Sequence, residues 1–239
     1  MTKMLASVTS VAEAVLALQL GADIIDLKNP HTGALGALSL STLREIVVAI
    51  DGRQTLSATI GETPSDSLEL QTKIAATAAT GVDIVKIGIA TSRVEPASWQ
   101  AMPWTPVSTR LVAVLFADEG LDLNWLNVFA ALKFYGVMLD TANKHSGGLR
   151  AHRTDDELRG FVRRARDCNL VCGLAGSLRT EDIPPLLTIE PDYLGFRGAL
   201  CEQSSRIGAI TPNAFRLVRE RIPRLSGTGR VTRLGAFVR

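Results

Sequence analysis

The sequence predicts a single (β/α)8 TIM barrel, and two observations support that prediction. A short apolar run, a polar loop and a helical pattern recur eight times along the chain. The length of 239 residues suits one such barrel, which typically takes about 250 residues. Because strands alternate with helices, we expect a parallel sheet with right-handed crossovers. A doubly wound open sheet is the alternative, but no glycine fingerprint of that fold follows the first strand.

The eight apolar runs are rich in Val, Ile and Leu, which is typical of strands buried on both faces. The predicted strands are residues 3–8, 22–28, 55–61, 82–88, 111–117, 136–141, 170–176 and 192–197. The helical patterns are residues 10–20, 41–50, 65–80, 123–134, 154–168 and 212–221. Between residues 95 and 106 three prolines interrupt the pattern, so irregular structure is expected there.

Local signals mark several helix ends. Thr154 followed by Glu157 predicts a capping box at the start of a helix. Gly21, Gly81 and Gly136 each stand before a strand, where a left-handed residue is expected to end the preceding helix. The predicted organisation is one catalytic domain over residues 1–222, followed by a basic tail over residues 223–239.

Composition limits the functions that this chain can have. The net charge is +2 and no basic block precedes the C-terminus, so we expect no nucleic acid partner. The apolar stretch at residues 11–20 is interrupted by Glu13 and is too short to span a membrane. Three cysteines without a histidine cluster predict neither disulfides nor a metal site. We expect a cytoplasmic homo-oligomer that needs no cofactor and acts on a small molecule.

Charged residues gather at the predicted carboxyl ends of the strands, where barrels of this class hold their active sites. Asp26 and Lys28 share the inward face of the second strand, because side chains alternate along a strand. Lys86 ends the fourth strand, and Asp140 ends the sixth, with Lys144 just beyond. Alternate strands contribute to the same layers of a barrel, so these side chains are expected to converge.

Lysine is scarce in this chain, which makes its position informative. There are 20 arginines and only six lysines, yet Lys28, Lys86 and Lys144 all fall at active-site ends. Arginine would serve as well for a positive charge alone, whereas a lysine amine can lose its proton and attack a carbonyl. Burial and neighbouring cations lower the pKa of a lysine and so favour that step. The alternative is that these charged residues only form structural ion pairs. That alternative is less favoured because the charged residues recur at three strand ends.

The seventh and eighth loops, GLAGSL and GFRGAL, place small residues where barrels commonly bind phosphate. The glycines could equally mark tight turns. A lysine that forms an imine and a phosphate site together imply a small phosphorylated aldehyde or ketone. The candidate substrate-binding residues are Thr59, Gly176, Ser177, Arg197 and Gly198.

The segments GADIIDLKNPHTGALGA, LSATIG, GVDIVKIGI, VMLDTANK, LAGSL and GFRGALC together resemble the (5-formylfuran-3-yl)methyl phosphate synthase family. The resemblance covers roughly residues 3–222; residues 89–110, residues 117–126 and the tail carry no matching motif. It implies a class I aldolase-like barrel that joins two molecules of glyceraldehyde 3-phosphate with loss of phosphate and water. The product is a furan precursor of methanofuran or methylofuran.

The resemblance also implies roles for individual residues. The Schiff-base lysine of the family falls on Lys28 and its companion aspartate on Asp26, and the other functional positions fall on Lys86, Asp140 and Lys144. Two other functions remain open at this point. One is another lysine-dependent phosphotriose or deoxysugar aldolase, which would release no phosphate. The other is a non-catalytic barrel that binds a sugar phosphate.

Overall fold

The computed structural model describes residues 1–61, 63, 66–92, 94–102, 104, 107–143 and 146–223. It contains a parallel barrel of eight strands: β1 Lys3–Val8, β2 Ile24–Leu27, β3 Thr55–Thr59, β4 Ile84–Ile89, β5 Arg110–Phe116, β6 Gly136–Asp140, β7 Val171–Leu174 and β8 Tyr193–Phe196. Each strand pairs with the next, and β8 pairs with β1 to close the barrel. The predicted fold and the eight predicted strands are confirmed.

Helices cover the outside of the barrel. They are α1 Val11–Gln19, α2 Leu40–Ile50, α3 Ser67–Ala78, α4 Pro96–Ala101, α5 Trp125–Ala131, α6 Leu149–His152, α7 Asp155–Asp167, α8 Ile183–Leu187 and α9 Pro212–Arg219. The predicted capping box is present at α7, where Thr154 and Glu157 bond each other's backbone. The short α4 forms where irregular structure was expected, because Pro96 stands in its first turn and needs no helical partner there.

Two of the three predicted glycine helix ends are confirmed. Gly21 and Gly81 have left-handed backbones, with φ of 82° and 95°. The prediction for Gly136 is wrong, because Lys133 takes the left-handed conformation after α5, with φ of 62°, and Gly136 begins β6. Glycine is required there for another reason: a Cβ at Gly136 would clash with the carbonyl oxygen of Val171 on β7.

Two layers of apolar side chains hold the barrel together. Ile25 and Leu27 of β2 belong to the large cluster between the strands and the helices, whereas Ile24 belongs to a smaller cluster inside the barrel. Ile84 of β4 and Met138 of β6 also point inward. This confirms the predicted strand phase, which sends Asp26, Lys86 and Asp140 to the interior.

Of the predicted basic tail, residues 223–239, only Pro223 falls in the described part of the chain. The boundary between the catalytic domain and the tail therefore stays a prediction.

Within the described ranges, no helix is both long enough and apolar enough to span a bilayer.

Candidate active site

Four of the five predicted catalytic residues come together at the carboxyl ends of the strands. Lys28 directly follows β2, Lys86 lies within β4 and Asp140 ends β6, while Asp26 lies lower on β2. All four are buried. The fifth, Lys144, lies outside the described residues.

Lys86 and Asp26 form a fully enclosed ion pair. Lys86 Nζ lies 3.0 Å from Asp26 Oδ1, and the two side chains are 2% and 0% exposed. The carboxylate also accepts hydrogen bonds from Ser57 Oγ at 2.6 Å and Ser7 Oγ at 3.0 Å. A buried charge is costly unless it is paired and hydrogen-bonded, and Asp26 is both, through contacts from three other strands.

These contacts keep Asp26 ionised. Burial by itself would raise the pKa of Asp26, but the attraction of Lys86 and Lys28 and the Ser57 hydrogen bond outweigh it, so the pKa lies below its ordinary value. Asp26 therefore carries a negative charge at neutral pH and acts as an acceptor rather than as an acid.

Lys28 occupies a different position, on the wall of an open cavity. Its Nζ lies 3.8 Å from Asp140 Oδ2, and Asp140 Oδ1 accepts from the backbone N–H of Thr141 at 2.8 Å. Lys28 and Asp140 both line a cavity of about 710 Å³ at the barrel mouth, whereas the lining does not include Asp26 or Lys86. The site thus has two levels, an enclosed pair below and an accessible pair above.

The loop after β2 is held over this mouth. Thr59 Oγ1 donates to the carbonyl oxygen of Gly36 at 3.0 Å, and the backbone N–H of Asn29 donates to the same oxygen at 2.7 Å. The loop places Leu35 in the inner apolar cluster. Thr59 was predicted to bind substrate, but its side chain is 1% exposed. It does not line this cavity or the second cavity of the described residues. Its contacts instead assign it to holding the β2 loop.

The β7 and β8 loops line another part of the cavity wall. Gly176, Ser177 and Gly198, all predicted to bind phosphate, are in that lining together with Ala199. Across the described part of the chain, the backbone N–H groups of Ser177, Gly198 and Ala199 have no protein acceptor. Gly176 has φ of 111°, a conformation that favours glycine, and it turns the chain between β7 and Ser177.

Arg197 was also predicted to bind phosphate, and its contacts assign it a different role. Its guanidinium binds Glu13 through Nη1 and Nη2, at 2.6 and 3.2 Å. The remaining donors reach the carbonyl oxygens of Arg206, Ser7 and Gly208 at 2.9, 3.2 and 2.7 Å. All five N–H donors therefore have protein acceptors, so Arg197 clamps the β8 loop to α1 and has none left for a phosphate.

The sequence interpretation missed two residues of the site. Glu13, the partner of Arg197, was noted only as a charge that interrupts an apolar helix, and that interruption was the available signal. Arg206 lines the cavity beside Lys28 and Asp140, but it lies in the loop after β8 with no motif around it. Among the described residues, no three His, Cys, Asp or Glu side chains are grouped as a metal site would require.

A closed β/α barrel with charged side chains gathered at the carboxyl ends of its strands has the architecture of a barrel enzyme. Residues 4–219 match the model of the 4-HFC-P synthase family, and this chain belongs to that family.

Relatives of known name agree. The chain is 41% identical over 208 residues to "Putative (5-formylfuran-3-yl)methyl phosphate synthase" of Methylorubrum extorquens, covering 87% of this chain and 86% of the relative. It is 33% identical over 231 residues to (5-formylfuran-3-yl)methyl phosphate synthase of Methanopyrus kandleri, covering 91% and 98%.

Solved structures with low sequence identity share the fold. Phosphoribosyl anthranilate isomerase of Thermus thermophilus superposes with a TM-score of 0.64 at 15% identity, covering 92% of this chain and 98% of that one. A 3-hexulose-6-phosphate synthase superposes with a TM-score of 0.59 at 18% identity, covering 93% and 100%. At these identities the likeness concerns the barrel alone.

Proposed function

We propose that this chain is a (5-formylfuran-3-yl)methyl phosphate synthase, which joins two molecules of glyceraldehyde 3-phosphate with loss of one phosphate and of water. The product serves the synthesis of methanofuran or methylofuran. The observation that carries the proposal is the position of Lys28: among the described residues, it is the lysine on the wall of the 710 Å³ cavity. Family membership supports the reaction, because relatives at 33% identity bear this name.

Lys28 acts as the nucleophile. Its amine adds to the carbonyl carbon of one triose phosphate, and water leaves as the imine forms. The protonated imine withdraws electrons from the neighbouring carbon, so a proton on that carbon becomes acidic. Loss of that proton gives an enamine, which attacks the carbonyl carbon of the second triose phosphate. Elimination of phosphate and water forms the furan, and hydrolysis of the imine releases the aldehyde product and returns the Lys28 amine.

The two aspartates take different roles because their surroundings differ. Asp140 faces the cavity beside Lys28, so it is placed to move protons during enamine formation and dehydration. Asp26 is enclosed, with a lowered pKa, and serves as the fixed counter-ion of Lys86 and Lys28. Lys86 adds positive charge below the cavity, which favours negative charge on a substrate oxygen. Lys144 is assigned to the departing phosphate from the resemblance alone.

The β7 and β8 loops are proposed to hold the phosphate that remains on the product. Backbone N–H groups without protein acceptors, such as those of Ser177 and Gly198, are good donors to a phosphate oxygen. These groups line the same cavity as Lys28, so a triose whose phosphate they hold can present its carbonyl carbon to the amine.

Trapping with borohydride tests the nucleophile. Wild-type protein incubated with glyceraldehyde 3-phosphate and borohydride should gain mass on the peptide that carries Lys28. Lys28→Arg keeps the charge but cannot form an imine, so it should trap nothing and form no furan. Lys73→Arg is the matched control, because Lys73 lies on the surface helix α3 with its side chain 39% exposed. An adduct that persists in Lys28→Arg would assign the nucleophile elsewhere.

Product analysis tests the reaction itself. Release of inorganic phosphate together with the rise of furan aldehyde absorbance is expected from glyceraldehyde 3-phosphate alone. An adduct at Lys28 without phosphate release would instead indicate an ordinary phosphotriose aldolase. No adduct and no turnover, with binding retained, would indicate a sugar-phosphate-binding barrel.

A further inference from the structure

Arg206 lies at the mouth of the active-site cavity and has no role in the reaction described above. It follows β8 by ten residues and is partly buried. It lines the same cavity as Lys28 and Asp140. Its Nη2 donates to the carbonyl oxygen of Gly33, in the β2 loop, at 2.7 Å. Arg206 thus spans the cavity mouth from the β8 loop to the loop that follows Lys28.

Among the described side chains of the site, the two lysines and Arg197 each have a carboxylate partner. Lys86 pairs with Asp26, Lys28 with Asp140 and Arg197 with Glu13. Arg206 forms no ion pair with any carboxylate among residues 1–61, 63, 66–92, 94–102, 104, 107–143 and 146–223, although Asp140 attracts it from a distance. Burial lowers the pKa of Arg206, and Asp140 offsets that only in part. A half-buried cation in this position is stabilised by an anion that enters the cavity.

Two other arginines, Arg197 and Arg179, line the same cavity. Arg197 has spent all five of its N–H donors on protein acceptors. The Arg179 side chain is 75% exposed, and it lies 3.9 Å from Glu181. Arg206 uses one donor on Gly33, and its other donors have no acceptor in the described part of the protein. A planar guanidinium with several available donors suits a phosphate, which it can bind through two parallel hydrogen bonds.

We propose that Arg206 recognises the substrate phosphate and, through its hydrogen bond to Gly33, couples that phosphate to the β2 loop beside Lys28. The inference rests on the function proposed above, which makes the substrate a triose phosphate. Arg206 completes the cradle of backbone N–H groups at Ser177 and Gly198, because it adds the full positive charge that Arg197 cannot offer. It is a binding residue that selects phosphorylated over unphosphorylated substrates.

Arg206→Gln and Arg206→Lys test this role. Arg166→Gln is the matched control, because Arg166 lies on the surface helix α7 with its side chain 64% exposed and does not line the cavity. Glutamine can keep a hydrogen bond to Gly33 but removes the charge, and lysine keeps the charge but loses the planar fork. In Arg206→Gln the KM for glyceraldehyde 3-phosphate should rise about 10- to 100-fold, with a smaller change in kcat. The preference for glyceraldehyde 3-phosphate over glyceraldehyde, measured as the ratio of kcat/KM, should fall by a similar factor. Arg206→Lys should be intermediate, and Arg166→Gln should match wild type.

Inorganic phosphate provides a readout that does not depend on turnover. Titration with phosphate should raise the Tm of wild type and of Arg166→Gln, and should raise that of Arg206→Gln much less. Should wild type form no furan while this pattern holds, the proposed reaction fails and the assignment of Arg206 stands. Should furan form with an unchanged KM in Arg206→Gln, or should both glutamine variants lose the same phosphate response, the assignment of Arg206 is wrong.

Discussion

The enclosed pair of Lys86 and Asp26 leads to the sharpest prediction about stability. Lys86→Met removes the ammonium group and keeps an unbranched chain, so Asp26 stays ionised below the cavity without its nearest partner. Two unit charges 3.0 Å apart attract by about 5 kcal/mol at an effective dielectric constant of about 20. Removing one partner of a buried pair typically costs about 3–5 kcal/mol. We expect a loss of about 3 kcal/mol, because Ser7 and Ser57 still bond the carboxylate.

A double-mutant cycle separates the pair from the loss of packing. Asp26→Asn keeps an acceptor for the two serines but leaves the Lys86 charge unpaired, so this single change should also be costly. The double variant removes both charges, so its loss should be smaller than the sum of the two single losses by about 2–3 kcal/mol. The free energy of unfolding is measured for all four proteins by urea titration. The cycle compares these free energies alone and does not use enzymatic activity.

Lys73→Met is the matched control for that cycle. Lys73 pairs with Glu69 at 3.2 Å on the surface of α3, with side chains 39% and 57% exposed, and such exposed pairs contribute little, about 0.3–0.5 kcal/mol. The reasoning about the enclosed pair is refuted if Lys86→Met costs no more than Lys73→Met, or if the losses from Asp26→Asn and Lys86→Met simply add.

Three further predictions concern pH and stability. The pKa of Asp26 is lowered in the folded state. Ionised Asp26 therefore makes its full contribution to the free energy of unfolding above its unfolded-state pKa, near 3.8. This contribution is lost as the pH falls through the pKa of the folded state. The difference in unfolding free energy between wild type and Asp26→Asn should therefore shrink in acid, and a constant difference down to pH 2 would contradict this. Glu13→Gln should cost about 2 kcal/mol in urea titrations, since it removes the carboxylate that the Arg197 guanidinium binds; a loss under about 0.5 kcal/mol would exclude the clamp. Lys133→Gly should raise the free energy of unfolding by about 0.5–1 kcal/mol, because glycine relieves the left-handed strain at φ of 62°, whereas Lys73→Gly inside α3 should lower it by about 1 kcal/mol.

Much of the site could be predicted from the chain because strand phase is a local property. Side chains alternate along a strand, so Asp26 and Lys28 had to share a face once Ile25 and Leu27 were assigned to the helix side. The same reasoning brought Lys86 and Asp140 inward, and the structure places all of these residues as expected. Because lysine is scarce in the chain, the sequence alone indicates Lys28 as a candidate nucleophile.

Local patterns carry no information about contacts with a partner far away in the chain. Arg197 had the position of a phosphate ligand, but its partner Glu13 stands 184 residues earlier, and no local pattern reports that contact. Thr59 likewise stands at the carboxyl end of a strand, where active-site residues are expected. Its hydroxyl nevertheless donates a hydrogen bond to the carbonyl oxygen of Gly36 in the β2 loop. Arg206 has no motif around it, so its place at the mouth becomes visible only in the folded barrel.

The sequence by itself determined the barrel, the inward face of each strand and the set of charged residues at the mouth, because all three follow from periodicity and composition. The tertiary structure decided how those charges combine. Lys86 pairs with Asp26 across 60 residues, and Lys28 pairs with Asp140, so β2 joins β4 at one level and β6 at the next. Which lysine is enclosed and which faces the cavity depends on strand register and barrel closure. These are properties of the whole chain, because each strand takes its height from its neighbours around the ring.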